Sequence, residues 1–175
     1  LFVIDEAYTA FTESNYMEWS NQFPNVVIMR TLSKVGLAGG RFGILIGAPE
    51  WISEFEKIRL PYNINALTQE VVRFYLEHVD ILHKQSEEIR IERKRMVSLM
   101  CNLGLSVWPS EANFIVVEFA DGQARTIFDG LKNRGILVKC LDGSHPRLAN
   151  SLRLTIGQPH ETDALVKALR DLISC

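Results

Sequence analysis

The chain has 175 residues, 47% of them apolar and 23% charged, and its 19 basic and 21 acidic side chains leave a net charge of −2. At roughly 100–200 residues per domain this is one domain or two small ones, able to bury about 70% of its unfolded surface without disulfides or metal. The composition excludes disorder, the charge balance gives no electrostatic drive toward nucleic acid or anionic membrane, and no apolar run approaches the ~20 residues of a membrane span.

Leu1-Phe2-Val3-Ile4 is an uninterrupted apolar run, predicting a fully buried strand that ends at Asp5. No charged segment or small-residue cleavage site accompanies it, so it does not resemble a signal peptide. Domain ends normally lie at the surface, so the chain is expected to be part of a longer protein, cut inside its core. Residues 6–24 read as loop and short helix. Val26-Val27-Ile28-Met29 is a second apolar run, closed by Arg30-Thr31-Leu32-Ser33-Lys34 and then by Gly36, Gly39, Gly40 and Gly43. Phe42 to Gly47 predicts a third strand, and Pro49 opens a helix over about 50–59.

Pro61-Tyr62-Asn63-Ile64-Asn65 breaks the pattern, and helix resumes over about 66–78. A long charged helix covers about 81–103 and stops at Gly104. Its basic run Arg90–Arg95 reads as a solvated face. Strands are predicted at 107–109, 114–119, 136–140 and 151–156, with helices at 122–134 (closed by Gly135) and 161–173. This second half alternates strands and helices and makes its own α/β layer. The division is placed near residue 80, giving domains 1–80 and 81–175.

Cys101, Cys140 and Cys175 are odd in number and lack Cys-x-x-Cys spacing, which fits free thiols in a reducing compartment, hence the cytoplasm. His78, His83, His145 and His160 show no zinc-binding spacing, so no metal site is expected.

Two apolar strands each end in polar residues, Asp5 after the first and Ser33-Lys34 after the second. In parallel α/β sheets ligands bind beyond the carboxyl ends of strands, so Asp5 and Lys34 are expected to face one crevice. A P-loop and a Gly-x-Gly-x-x-Gly fingerprint are absent, and a Ser-x-x-Lys motif fails because Thr31 occupies its serine position. An amine in a partly dehydrated crevice can form a Schiff base, and a carboxylate can hold a pyridine nitrogen protonated. These are two tasks a protein performs for pyridoxal phosphate (PLP). Thr31, Ser33, the glycine-rich turn and Arg41 offer hydroxyls, N–H groups and a guanidinium for its phosphate.

Asp5-Glu6-Ala7-Tyr8, Arg30-Thr31-Leu32-Ser33-Lys34 and Gly36-Leu37-Ala38-Gly39-Gly40-Arg41-Phe42-Gly43 resemble the core of fold-type I PLP aminotransferases, the histidinol-phosphate aminotransferases most of all. Pro61-Tyr62-Asn63-Ile64-Asn65, Ala112-Asn113-Phe114 and Ser151-Leu152-Arg153-Leu154-Thr155-Ile156-Gly157 extend the resemblance, in the family's order, over essentially the whole chain. The resemblance implies an α/β fold: the C-terminal part of the large PLP domain, with a mixed and mostly parallel sheet, followed by a small α/β domain. It implies that Lys34 binds the cofactor covalently and shuttles the substrate proton, that Asp5 pairs with the pyridinium nitrogen, and that Tyr8 hydrogen-bonds the phenolic oxygen. Ser33, Arg41 and Thr31 would hold the phosphate, Arg153 would meet a substrate carboxylate, and Asn113 would neighbour the substrate.

The sequence departs from the family's commonest pattern twice. The Lys34–Arg41 segment is one residue shorter than in many aminotransferases, and Lys139 stands where many carry a substrate-binding arginine. Lys139 is then a point charge for a substrate phosphate. The resemblance implies transfer of an amino group between L-histidinol phosphate and 2-oxoglutarate, small-molecule amino donor and 2-oxo acid partners, and a homodimer for the full-length protein. The alternatives are an aromatic amino-acid transaminase, a threonine-phosphate decarboxylase, or, for this chain alone, a non-catalytic fragment.

Overall fold

The computed structural model describes residues 1–173, and Cys175 lies outside them. They form two compact units, Leu1–Ser86 and the residues from Glu87 on.

In the first unit β1 (Phe2–Asp5) and β2 (Val26–Thr31) pair in parallel, and β3 (Gly43–Gly47) runs antiparallel on the other side of β2. A parallel pair needs a crossover, here a loop with a short turn at Thr9–Phe11 and α1 (Trp19–Gln22). The central strand is covered: Val26, Val27 and Ile28 are 6%, 0% and 0% exposed. The predicted burial of the first strand is not found. Leu1, Phe2 and Val3 are 53%, 67% and 53% exposed, because β1 is an edge strand with β2 as its one neighbour. An apolar run specifies the strand but not what lies on it.

Pro49 opens α2 (Pro49–Glu56) as predicted, and α3 (Ala66–Leu76) starts at Asn65, whose side-chain oxygen accepts the Thr68 N–H at 2.9 Å. The boundary between the units falls within α4 (Val79–Asn102). This helix stops where expected. Gly104, at φ 78°, donates to the Cys101 carbonyl at 2.9 Å, and Leu105 donates to Met100 at 3.2 Å. That pair of bonds needs a left-handed residue between them, a position glycine takes without a Cβ clash.

The second unit is a four-stranded sheet in the order β4 (Ser106–Val107), β5 (Phe114–Glu118), β7 (Ser151–Thr155), β6 (Lys139–Cys140), with every pairing antiparallel. Ile115 and Val117 of β5 and Leu152 and Leu154 of β7 alternate inward. They pack with α4, α5 (Gln123–Asn133) and α6 (Pro159–Ile173) into one contiguous core. Each fully buried leucine there contributes about 1.5–3 kcal/mol by leaving water. Two predicted strands are shorter than expected. Pro109 has no N–H to extend β4, and the Ile136 N–H is used on the Leu131 carbonyl to close α5, so only Lys139–Cys140 pairs.

Arg95 ties α4 to α6. It donates to both carboxylate oxygens of buried Glu92, to Asp163 at 2.8 Å and to the Pro159 carbonyl at 2.9 Å. These bonds from Arg95 hold the Glu92 carboxyl below the usual carboxylate range, outweighing the opposite push of burial. A depressed folded-state value gives stability that is fully present above the unfolded value and lost as pH falls through the folded one. Glu92→Gln is therefore expected to be less stable than the parent at neutral pH. The gap should close below about pH 4, as urea midpoints across that range will show.

Candidate active site

The parallel register sets Asp5 opposite Met29, so β1 and β2 release their chains at the same edge of the sheet. The antiparallel register sets Thr31 opposite Gly43, which brings Arg41 to that edge from the other side. Six residues singled out from the sequence, Asp5, Tyr8, Thr31, Ser33, Lys34 and Arg41, thus share one sheet edge.

Asp5 is exposed, and its Oδ1 accepts the Ala7 N–H at 2.9 Å, which fixes the carboxylate at the strand end. Tyr8 precedes the Thr9–Phe11 turn, and the Lys34 Nζ stands 5.3 Å from its ring centroid. That spacing places the amine within cation–π range of the phenol ring. Thr31 Oγ1 donates to the Phe42 carbonyl and accepts the Ser33 N–H, at 3.0 and 3.1 Å. The hydroxyl thereby shapes the turn carrying Ser33 and Lys34. Arg41 is left-handed at φ 51°, and its Nη1 reaches the Ala38 carbonyl at 3.5 Å.

Three residues not singled out from the sequence brace this edge. The Glu6 carboxylate is buried, with its side chain 4% exposed, and its Oε2 accepts from Arg30 Nη2 at 2.7 Å and Nε at 2.8 Å. Its Oε1 accepts the Tyr16 N–H. The Tyr75 hydroxyl of α3 donates to the Val35 carbonyl, directly after Lys34. A Cβ on Gly36, itself at φ 101°, would come within 2.6 Å of that hydroxyl, so glycine admits Tyr75 to the lysine turn. A carboxylate next to a strand end looks the same in sequence whether paired or solvated, and nothing local links Tyr75 to Val35.

The remaining three residues lie in the second unit. Lys139 and Arg153 are cross-strand partners, on the face of the sheet opposite its core. The Arg153 guanidinium lies 5.0 Å from the Phe114 ring centroid, and its Nε is buried with no hydrogen-bond partner among the described residues. Two adjacent cations and an unanswered donor suit an anion. Asn113 is half-buried, and its carbonyl accepts the Ile156 N–H at 2.9 Å.

An amine, a carboxylate, a phenol, two hydroxyls and a guanidinium at one sheet edge form a donor set that suits an aromatic aldehyde bearing a ring nitrogen and a phosphate. Among the described residues no cluster of His, Cys, Asp and Glu side chains is placed to hold a metal ion. No helix among them is long and apolar enough to cross a membrane.

Comparison with known proteins shows the family and the fold. Histidinol-phosphate aminotransferase of Chromobacterium violaceum is 46% identical over 171 residues, which is 97% of this chain and 48% of that relative. The crystal structure of histidinol-phosphate aminotransferase from Sinorhizobium meliloti in complex with pyridoxal-5'-phosphate superposes with a TM-score of 0.86 at 30% identity, covering 99% of this chain and 49% of that one. L-threonine-O-3-phosphate decarboxylase from Porphyromonas gingivalis shares the fold, with a TM-score of 0.84 at 22% identity over 99% of this chain and 55% of its own. The chain spans about half the length of the curated relatives it matches. The family described as aminotransferase class I and II matches residues 1–169, and the chain belongs to that family.

Proposed function

We propose that this chain is the C-terminal half of a PLP-dependent transaminase. Its reaction would move an amino group between L-histidinol phosphate and 2-oxoglutarate in histidine biosynthesis, in a cytoplasmic homodimer. The observation that carries the reading is the 46% identity to the Chromobacterium violaceum enzyme, over a chain whose sheet edge gathers Asp5, Tyr8 and Lys34.

Bound PLP would supply an electron sink for the bond broken at the substrate α-carbon. The chain's own residues would hold and serve it. Asp5, fixed by the Ala7 N–H, offers a negative charge to keep a ring nitrogen protonated. Tyr8 offers a hydroxyl to the phenolic oxygen. Ser33, Thr31 and Arg41 offer hydroxyls and a guanidinium to the phosphate. Lys34 would supply the amine that attaches the cofactor and, once freed, the base that carries the substrate α-proton. Arg153 offers a planar fork to a carboxylate and Lys139 a point charge to a phosphate, with Asn113 adding an amide.

Purified full-length enzyme, assayed on histidinol phosphate, phenylalanine and threonine phosphate, tests the substrate. A site built for the imidazole and phosphate should favour histidinol phosphate by about 10²-fold or more in kcat/KM. Preference for phenylalanine would make the protein an aromatic transaminase, and carbon dioxide release from threonine phosphate a decarboxylase.

For residues 1–175 alone we propose no transaminase turnover. Asp5, Lys34 and Arg41 are all exposed, and water at an open site weakens the electrostatics on which the chemistry depends. Borohydride reduction of the chain with PLP, using Lys34→Ala as control, probes attachment. A stable Lys34-dependent adduct together with turnover would overturn the fragment reading.

A further inference from the structure

We propose that the Glu6–Arg30 ion pair is a positioning device for the cofactor edge, an inference that rests on the PLP reading above. The pair lies one residue beyond Asp5 and one residue before Thr31. The Glu6 N–H donates to the Met29 carbonyl at 2.8 Å, continuing the β1–β2 ladder past the end of β1. Side chains alternate across a strand, so Glu6 and Arg30 share one face while Asp5 and Thr31 occupy the other. Locked from behind, the two strand ends present the carboxylate and the hydroxyl forward in a fixed register.

The hydrogen bonding of the pair supports this role. Two Arg30 donors converge on Oε2 and the Tyr16 N–H fills Oε1, so β1, β2 and the loop before α1 meet on one buried carboxylate. A buried ion pair adds little stability over apolar residues of the same shape, and its best-attested use is to fix register. Here the fixed register is that of the two strands that carry Asp5 and Lys34. A displacement of about 1 Å at a catalytic group costs up to about 10²-fold in rate, so a small slip at this edge is enough to matter.

The test uses the full-length enzyme with Glu6→Gln, which keeps the shape of the side chain, and Arg30→Lys, which keeps the charge but loses the fork. Three measurements are made on each: PLP affinity of the apoenzyme by tryptophan fluorescence, the pH midpoint of the visible absorption of the lysine-bound cofactor, and kcat and KM separately. The expected result is a shifted pH midpoint, weaker PLP binding, and kcat lower by about 10- to 100-fold with KM little changed. Variants that unfold earlier but keep the parental pH midpoint, PLP affinity and kcat would overturn the proposal, leaving the pair a purely structural tie. Failure of both variants to fold would also overturn it, in favour of a folding role. A parent enzyme with no Lys34-dependent visible band would instead defeat the PLP reading itself, so the two failures are distinguishable.

Discussion

Under the proposed function, transaminase turnover by the full-length enzyme is expected to fall by at least about 10²–10⁴-fold in Lys34→Ala, the range lost when a positioned general base is removed. Loss of covalent attachment adds to that. Lys34 leaves β2 through a turn that is fastened twice, by Thr31 Oγ1 on the Ser33 N–H and by the Tyr75 hydroxyl on the Val35 carbonyl. Its Nζ lies beside Tyr8, at the same edge as Asp5. Lys34→Arg separates charge from chemistry. A guanidinium stays protonated and cannot take a proton from carbon, so this variant should be as inactive as the alanine one. Near-parental turnover by Lys34→Arg would show that the lysine acts as a charge alone, and the assigned role would fall. Steady-state kinetics with borohydride trapping gives both readouts.

The largest effect on stability is expected at Leu152. It is 0% exposed and sits on β7, between Val117 of β5 on one side and Cys140 of β6 on the other. Leu152→Ala leaves a cavity that the flanking strands cannot close without breaking the ladder, at a cost of about 2–5 kcal/mol. Against a typical total of about 5–15 kcal/mol this is a large fraction. With a usual urea dependence the midpoint should fall by about 1–2 M. Lys167→Ala, on the exposed face of α6, should stay within about 0.5 kcal/mol of the parent. An equal shift for both variants would mean that Leu152 is not a core determinant.

Much of the fold was legible because local chemistry dictated it. Pro49 and Asn65 open helices, and Gly104 and Gly135 close them, through backbone requirements that a short window of sequence contains. The strand predicted at 114–119 is β5, Phe114–Glu118. Coverage was not legible. Leu1–Val3 carry the composition of a buried strand and lie exposed at an edge. Nor were competing uses of one N–H. Ile136 matches a strand by composition, yet its amide closes a helix.

The candidate site divides the same way. Asp5 and Lys34 were visible as polar residues ending apolar runs, and the parallel register explains why both follow strands that end at the same edge of the sheet. Glu6, Arg30 and Tyr75 were not visible. Their roles depend on pairings across strands and between distant segments, and a carboxylate, a guanidinium or a phenol carries no local mark of its partner.

Arg41 carries a strained backbone at this edge. Its left-handed backbone is a conformation that costs a non-glycine residue of order 1–3 kcal/mol, and two glycines, to which it would come freely, stand immediately before it. Replacing Arg41 with glycine relieves that strain, against the greater conformational entropy that glycine loses on folding. It would also remove the one guanidinium that this turn offers to an anion. Under the proposed function, heat resistance and phosphate binding pull this residue in opposite directions, and variants selected only for melting temperature should be watched at position 41 first.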